Sequence, residues 1–260
     1  MRAILLRMQP QPDARVVAGP RHGVVVRVTH WLTLVAFVAL VISGVEIVFS
    51  HPRFYLGETG NVNMKPLFTL PVASSRDTVP TAYKYILPDQ NGWSRYLHFE
   101  AAWLLLFVGA VYVVSGWRSG RFRREIVPQR SERNWRSYWG VIGGYLRVTP
   151  RREESKTSYN VLQRTVYFAV IFVAFPLMIW TGLAMSPAFT AVVPWCPLIV
   201  GGRQTARTLH FFLTWGLVLF FITHVAMVST SGFVARMRGM ITGGDGAVCA
   251  DAVDAVKEGA

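Results

Sequence analysis

Residues 209–228 read LHFFLTWGLVLFFITHVAMV, an apolar segment with no charged residue and a histidine near each end. His210 and His224 are 14 residues apart, which corresponds to about 21 Å along a helix axis and a net rotation of roughly 40°. The two side chains would therefore lie on one face, one near each membrane surface. Because an imidazole in hydrocarbon is costly unless its ring nitrogen is occupied, the segment predicts a membrane-spanning helix with a buried ligand, a metal ion or haem iron, near each end.

Three more segments are long and apolar enough to cross a hydrocarbon core of about 30 Å. They are residues 24–49, 96–117 and 166–185, so that residues 209–228 form the fourth helix of the series. Apolar residues make up 52% of the chain and charged residues only 16%, well below the charge content of a soluble domain. No segment shows the ten-residue alternation of a membrane β-barrel. The sequence therefore predicts an all-α membrane protein, a bundle of four transmembrane helices.

The distribution of the 27 Lys and Arg residues predicts the orientation of this bundle. Five precede or open helix 1, and twelve lie between helices 2 and 3. The loop between helices 1 and 2 has five, and the loop between helices 3 and 4 has two. Because cytoplasmic loops carry the excess of basic residues, we expect both termini and the loop between helices 2 and 3 in the cytoplasm. The net charge of +13 comes mostly from these basic residues that orient the helices. The aromatic residues in the basic loop between helices 2 and 3 are at helical spacing, which argues against nucleic-acid binding.

These segments divide the chain into three parts. Residues 1–23 form a cytoplasmic arm, residues 24–235 the membrane domain, and residues 236–260 a flexible cytoplasmic tail. The membrane domain includes an outer loop at 50–95 and a cytoplasmic loop at 118–165. Aromatic and aliphatic residues at helical spacing in the cytoplasmic loop predict a short helix that lies in the membrane interface. They are Trp135, Tyr138, Trp139, Ile142, Tyr145 and Leu146.

The directions of the helices pair four histidines across the bundle. Helix 1 runs outward with His30 near its start, and helix 4 runs inward with His224 near its end, so both lie on the cytoplasmic side. Helix 2 runs inward with His98 at its outer end, opposite His210 at the outer end of helix 4. We therefore expect one metal centre between His30 and His224 and a second between His98 and His210.

Arginine stands three residues before three of these histidines, at Arg27, Arg95 and Arg207. Each is about one turn nearer the water on roughly the same face, where a guanidinium can bind a haem propionate through two hydrogen bonds. The alternative is that these arginines only extend toward water at the membrane surface. A lone metal ion held by two histidines lacks ligands, whereas a porphyrin supplies four nitrogens and needs two axial ones. The pattern therefore favours two haems.

The motif R-x-x-H-W at residues 27–31, the histidine entering helix 2 and the H-x13-H spacing on helix 4 resemble the four-helix di-haem cytochrome b subunits. These proteins are the membrane subunits of formate dehydrogenases (the gamma subunit), nickel-iron hydrogenases and thiosulfate reductases. The resemblance implies two haem b groups near opposite membrane faces, each with two axial histidines. It also implies a quinone pocket near the cytoplasmic haem, where this chain has Asn160 and Gln163. The alternative for these two amides is a helix N-terminus that dips into the interface.

The function implied by the resemblance is electron transfer in a respiratory chain, as a subunit and not as a self-sufficient enzyme. A catalytic redox subunit on the outer face, a molybdopterin enzyme or a hydrogenase, would exchange electrons with the outer haem, and membrane quinone with the cytoplasmic haem. Two alternatives are a stand-alone membrane haem reductase that uses quinol and a soluble acceptor, and a haem-free helical transporter. The transporter is disfavoured because the ionisable residues cluster at the helix ends and not at mid-membrane.

Overall fold

The computed structural model describes residues 22–61, 63–72, 92–145, 159–230 and 232–243. Within these residues the protein is mostly helical, and four helices are long and apolar enough to cross a membrane. The predicted four-helix architecture is therefore confirmed. The α-helices are α1 (Val24–Ser50), α2 (Gly92–Arg118), α3 (Trp135–Tyr145), α4 (Val161–Ala169), α5 (Phe175–Met185), α6 (Pro187–Val192), α7 (Arg203–Thr230) and α8 (Phe233–Ile241).

The membrane spans are longer than the sequence predicts. Helices α1 and α2 form the first two spans, α4 and α5 belong to the third, Val161–Met185, and α7 forms the fourth. The helix predicted in the loop between the second and third spans is present as α3. It packs on α4, where the Tyr138 hydroxyl lies 2.9 Å from Thr165 Oγ1. Leu146 lies outside the described residues, and the position of α3 in the membrane interface stays a prediction.

The third span changes its helical geometry in the middle. A wider π-helical turn, Val170–Ala174, separates α4 from α5, and the Phe175 amide donates to the Val170 carbonyl five residues back. Pro176 follows directly. It has no N–H group, and its ring collides with the carbonyl four residues back in a regular α-helix. The wider turn relieves this conflict, so the span continues through the proline instead of ending there.

The spans pack chiefly as two helix pairs, α1 with α2 and α5 with α7. Small side chains are buried in both pairs, Ala36 and Ala101 in the first and Ala184 and Ala206 in the second. Small residues let helix backbones approach closely, which favours helix association in lipid. Many large apolar side chains are exposed on the outside of the bundle, as expected where the surrounding solvent is lipid and not water.

One end of the bundle is covered by a short β-hairpin, and we call it the hairpin end. Strand β1 (Arg53–Phe54) pairs antiparallel with β2 (Phe68–Thr69), so that the rings of Phe54 and Phe68 stack with 4.7 Å between their centroids. Several hydrogen bonds fasten the chain after β1 to the start of α7. Among them are those from Gln204 N to the Gly57 carbonyl at 3.0 Å, from Gly57 N to Thr205 Oγ1 at 2.8 Å, and from Thr208 Oγ1 to the Tyr55 carbonyl at 2.8 Å.

The opposite end carries α8, and we call it the α8 end. Trp31 Nε1 donates to the Met240 carbonyl at 3.1 Å, and Arg27 Nη1 donates to the Ile241 carbonyl at 2.8 Å. The sequence predicted a flexible tail from residue 236 onward, but the helix continues to Ile241. The physical reason is that the last carbonyls of a helix have no partner within it, and here the side chains of α1 supply the missing donors.

Candidate functional site

Four histidines form two facing pairs, one at each end of the bundle. At the hairpin end, the ring centroids of His98 on α2 and His210 on α7 are 6.2 Å apart. At the α8 end, the ring centroids of His30 on α1 and His224 on α7 are 6.3 Å apart. The structure thus brings together the same partners that the helix directions predict. We call them the hairpin-end pair and the α8-end pair.

The spacing within each pair fits two axial ligands of one haem iron. A metal–imidazole bond of about 2.0 Å and a ring radius of about 1.1 Å place the centroids of two opposite ligands roughly 6.2 Å apart. The observed distances are 6.2 and 6.3 Å. Within the described residues, no three or more His, Cys, Asp or Glu side chains form a group suited to a metal ion. Each site therefore offers two donors, a set that a porphyrin completes with four nitrogens.

Each ring of the hairpin-end pair contacts a hydroxyl group on a neighbouring helix. His98 Nδ1 lies 3.0 Å from Ser43 Oγ on α1, and His210 Nδ1 lies 2.9 Å from Thr181 Oγ1 on α5. Neither hydroxyl can be identified from the sequence, because they are 55 and 29 residues away from the histidines they contact. Only the packing of α1 on α2 and of α5 on α7 identifies them.

The remaining hydrogen bonds of these hydroxyls fix which nitrogen of each ring is protonated. Ser43 Oγ donates to the Ala39 carbonyl at 2.6 Å, and Thr181 Oγ1 donates to the Leu177 carbonyl at 2.8 Å. Since a hydroxyl has a single proton, each oxygen then accepts a hydrogen bond from the imidazole Nδ1–H. The lone pair of each ring is left on Nε2, which is the atom that can bind iron.

The α8-end pair has aromatic neighbours in place of hydroxyls. Trp31 packs edge-on against His30 with 5.4 Å between ring centroids, and Phe220 stacks on His224 at 5.9 Å. His30 Nδ1 is buried and has no hydrogen-bond partner within the described residues. A buried polar nitrogen without a partner costs roughly 1–3 kcal/mol. The His30 ring therefore lacks the hydroxyl contact that each ring of the hairpin-end pair has.

Arg207, one of the arginines predicted to bind a propionate, has a structural function that the sequence did not predict. Its guanidinium donates to the Arg53 carbonyl at 3.2 Å and to the His51 carbonyl, and it lies 4.8 Å from the centre of the Phe54 ring. These contacts fasten the end of α1 and β1 to α7, one turn before His210. No sequence pattern reveals them, because the acceptors are backbone carbonyls 154 and 156 residues away.

Arg27 and Arg95 lie one turn before His30 and His98, as the sequence indicates. Arg27 Nη1 donates to the carbonyl of Ile241, whereas its Nε atom is buried and has no partner within the described residues. Arg95 is exposed at the start of α2. Propionate binding by any of the three arginines stays a prediction, and Arg27 Nε is the donor with the best opportunity for it.

Asn160 and Gln163 cap the first turn of α4. Asn160 Oδ1 accepts from Gln163 N at 2.8 Å, Gln163 Oε1 accepts from Asn160 N at 3.3 Å, and Asn160 Nδ2 donates to the Tyr145 hydroxyl at 2.9 Å. This reciprocal arrangement is a capping box, and an Asn followed three residues later by Gln is a sequence signal for it. The helix N-terminus that we considered is therefore what the structure contains, and quinone binding by these amides stays a prediction.

Comparison with known proteins agrees with this geometry. The family model described as prokaryotic cytochrome b561 matches residues 21–243, which include both histidine pairs. The chain belongs to this family, a class of haem-binding membrane cytochromes.

Three relatives show where the chain stands among known proteins. The putative protein-methionine-sulfoxide reductase subunit YedZ1 of Azospira oryzae is 29% identical over 225 residues, which cover 84% of this chain and 96% of that protein. The probable Ni/Fe-hydrogenase B-type cytochrome subunit of Cupriavidus necator is 25% identical, over 77% of this chain and 74% of the relative. The protein of the same name from Rhodobacter capsulatus is 22% identical, over 77% and 70%. No solved structure matches the chain.

Family membership and the four spans together establish the class of the protein. It is a multi-pass bacterial membrane protein that binds b-type haem and acts as an electron-transfer subunit. The relatives are named as subunits of oxidoreductases, which indicates that this chain works with a catalytic partner subunit. These findings argue against the haem-free transporter.

Proposed function

We propose that the protein binds two b-type haems and transfers electrons between a catalytic redox subunit and membrane quinone. The observation that carries this proposal is the presence of two histidine pairs with nearly the same spacing at the two ends of α7. His98 and His210 would hold one haem iron, and His30 and His224 would hold the other. When bound, haem supplies reversible one-electron transfer at its iron.

The surrounding residues give each haem a defined position. Ser43 and Thr181 orient the rings of the hairpin-end pair through the contacts at 3.0 and 2.9 Å. The apolar faces of the helices exclude water, and exclusion of water together with the axial ligands sets the reduction potential of a haem. At the α8 end we assign Arg27 Nε to a propionate, and at the hairpin end Arg95 and the remaining donors of Arg207.

The α8 end is proposed to face the cytoplasm, together with both termini. The loop at 118–165 holds twelve basic residues, and α8 adds Arg236 and Arg238. Since basic residues accumulate on the cytoplasmic side, the hairpin end then faces the periplasm of a bacterial inner membrane. A reporter fused near Arg130 should show a cytoplasmic location and one fused near Thr78 a periplasmic location. The opposite pair of results would reverse the proposed orientation.

The hairpin end is proposed to receive the catalytic partner. The chain after β1 is fastened to α7 at this end. There Arg203 Nε and Glu58 Oε1 form an exposed ion pair at 3.2 Å. An ordered surface with exposed polar groups suits the rim of an interface with another protein. The partner is proposed to be a molybdopterin enzyme or a hydrogenase, and the names of two relatives, Ni/Fe-hydrogenase B-type cytochrome subunits, support the second of these.

Quinone is proposed to exchange electrons at the α8 end, near the start of α4. The capping bonds occupy the amide oxygens of Asn160 and Gln163, which leaves the NH2 group of Gln163 to donate to a quinone carbonyl. The α4 start lies at this end because α5, at the other end of the same span, contacts His210. The pocket would therefore lie on the side of the α8-end pair.

Haem analysis of the purified full-length chain tests the proposal most directly. A pyridine haemochrome assay should give two b-type haems per chain. A value of one haem or none would overturn the assignment of the two pairs. Turnover of quinol with a soluble acceptor by this chain alone would support the stand-alone reductase instead, because the proposed subunit requires a catalytic partner.

A further inference from the structure

We propose that Ser43 and Thr181 are positioning residues that hold the hairpin-end pair in the Nδ1–H tautomer and lower the reduction potential of the haem bound there. This inference rests on the proposed function of His98 and His210 as axial ligands. The two side chains are uncharged and bind neither iron nor substrate. They would nevertheless give the haem at the hairpin end a different reduction potential from the haem at the α8 end.

The first observation is that the two sides of the hairpin-end pair are built alike. Ser43 on α1 is followed by Gly44, and Thr181 on α5 is followed by Gly182, so the same hydroxyl–glycine pair occurs on two different helices. A Cβ atom at Gly44 would lie 3.5 Å from Cε1 of the histidine it faces, and a Cβ atom at Gly182 would lie 3.5 Å from Cε1 of the other. Each histidine ring thus lies against a hydroxyl, at 3.0 or 2.9 Å, and against a glycine backbone.

The second observation is that these hydroxyls are sealed from solvent. Ser43 is 0% exposed and Thr181 is 1% exposed. Each hydroxyl also lies within 3.2 Å of a second carbonyl of its own helix, that of Leu40 and of Met178 respectively. Because the hydroxyl proton is held by the helix and the side chain is buried, the oxygen remains an acceptor for the imidazole Nδ1–H.

The chemical consequence follows from the basicity of the ligand. An imidazole that donates its Nδ1–H to an acceptor is more basic at Nε2 and stabilises the more positive ferric iron over ferrous iron. Two such bonds on one haem act in the same direction, and both lower its reduction potential. At the α8 end, His30 Nδ1 has no hydrogen-bond partner within the described residues, so the same effect is lacking on that ring.

The test is a potentiometric titration of the purified full-length chain, followed by visible and low-temperature EPR spectra. The single variants Ser43→Ala and Thr181→Val remove one acceptor each, and the double variant removes both. We expect the midpoint potential of the hairpin-end component to shift upward in each single variant and further in the double variant. The α8-end component should keep its potential. His98→Ala identifies the hairpin-end component, because it removes that component altogether.

Two further variants separate the hydroxyl from simple packing. Ser43→Thr and Thr181→Ser keep a hydroxyl and should keep the original potential. Thr29→Val is the matched control, since Thr29 is also buried on α1 and bonds two carbonyls of its own helix, at 2.7 and 3.2 Å. It should leave the hairpin-end component unchanged.

Each result bears on the inference separately from the proposed function. Unshifted potentials and EPR spectra in the double variant would overturn the inference while the haem stoichiometry still supported the ligand assignment. If Thr181→Val loses the haem, retention of haem by Thr181→Ser supports the role of the hydroxyl, and loss in both variants contradicts it. Absence of a hairpin-end component in the unmodified protein would instead refute the proposed function.

Discussion

The two ends of the bundle use one helix, α7, to present a histidine, but they surround the histidine pair differently. At the hairpin end both rings contact buried hydroxyls, and the cover is joined to α7 by backbone hydrogen bonds and by the Arg207 guanidinium. At the α8 end the rings contact aromatic side chains, and the cover is a nine-residue helix held by donors from Arg27 and Trp31.

A haem site needs residues that bind the iron and residues that determine the surroundings of the haem, and the two ends of the bundle differ only in the second group. The spacing within a pair is 6.2 Å at one end and 6.3 Å at the other, so ligation is set by the position of each histidine along its span. The polarity and the rigidity of the surroundings are set by the neighbouring helices and covers. We therefore expect substitutions of the histidines to act alike at both ends, and substitutions of the surroundings to act at one end only.

Loss of one histidine should have the largest effect and should separate the two ends completely. His210→Ala and His98→Ala should each remove the hairpin-end spectral component, because the haem there would be held by only one of its two histidines. His224→Ala and His30→Ala should each remove the other component. Haem quantification should show a loss of about one of the two haems expected per chain, and redox-resolved spectra would identify which one.

The pairing is open to direct contradiction by the same four variants. If His210→Ala and His30→Ala removed the same component, the two histidines would share a haem, and the assignment of the pairs to opposite ends would be wrong. Loss of both components in every variant would point to failure of the whole bundle to assemble, which the expression level and the helix content of the purified variants would reveal.

The cover at the hairpin end should be the next most sensitive feature. Gly202 has a φ of +106°, and a Cβ atom there would overlap backbone atoms of Gly57 and Glu58. Gly202→Ala should therefore cost roughly 1–3 kcal/mol of strain and loosen the segment that covers His210. Thermal denaturation followed by haem absorbance should show loss of the hairpin-end component at a lower temperature, with the α8-end component unaffected.

Gly216→Ala is the matched control for this substitution. Gly216 lies on α7, the helix that begins directly after Gly202, and no heavy atom outside its own helical backbone lies within 4 Å of a Cβ placed there. Alanine is also the better helix former, so neither component should become less stable. Equal destabilisation of both components by Gly202→Ala would contradict the view that the cover serves one end only.

The fold and the histidine pairs could be predicted from the sequence because they depend on local properties of each span. The apolar length gives the span, the charge of the loops gives its direction, and a histidine near a span end is then assigned to one side. The contacts of Ser43, Thr181 and Arg207 could not be predicted, because they depend on which helix neighbours which and on backbone carbonyls far away in the chain. The π-helical turn before Pro176 could not be predicted either, because it depends on the span as a whole and no short sequence motif indicates it.

Substitutions at the start of α4 should have a smaller effect on stability. They test the role of the Asn160 amide at the α8 end. Asn160→Ala removes the helix cap and should cost about 1 kcal/mol of stability, whereas Asn160→Ser keeps a capping oxygen. Because the Asn160 amide is engaged by the cap and by the Tyr145 hydroxyl, we expect quinone to reoxidise the haems of Asn160→Ser at the normal rate. Gln163→Leu removes the proposed donor and should slow reoxidation, as measured by stopped-flow spectroscopy on haem-replete protein. Slow reoxidation in Asn160→Ser, with both haems still present, would show that the Asn160 amide itself binds quinone.

The smallest effect should come from weakening the attachment of α8 itself. Trp31→Phe keeps an aromatic ring beside His30 but removes the hydrogen bond from Nε1 to the Met240 carbonyl, which measures 3.1 Å. A hydrogen bond of this kind contributes about 1 kcal/mol, so the amide protons of α8 should exchange about five times faster in hydrogen-exchange mass spectrometry. Exchange at the hairpin end should not change.

Trp117→Phe is the control, because Trp117 is 77% exposed on α2. Unchanged exchange of α8 in Trp31→Phe would show that Arg27 alone holds this cover, whereas faster exchange at both ends would contradict the independence of the two sites.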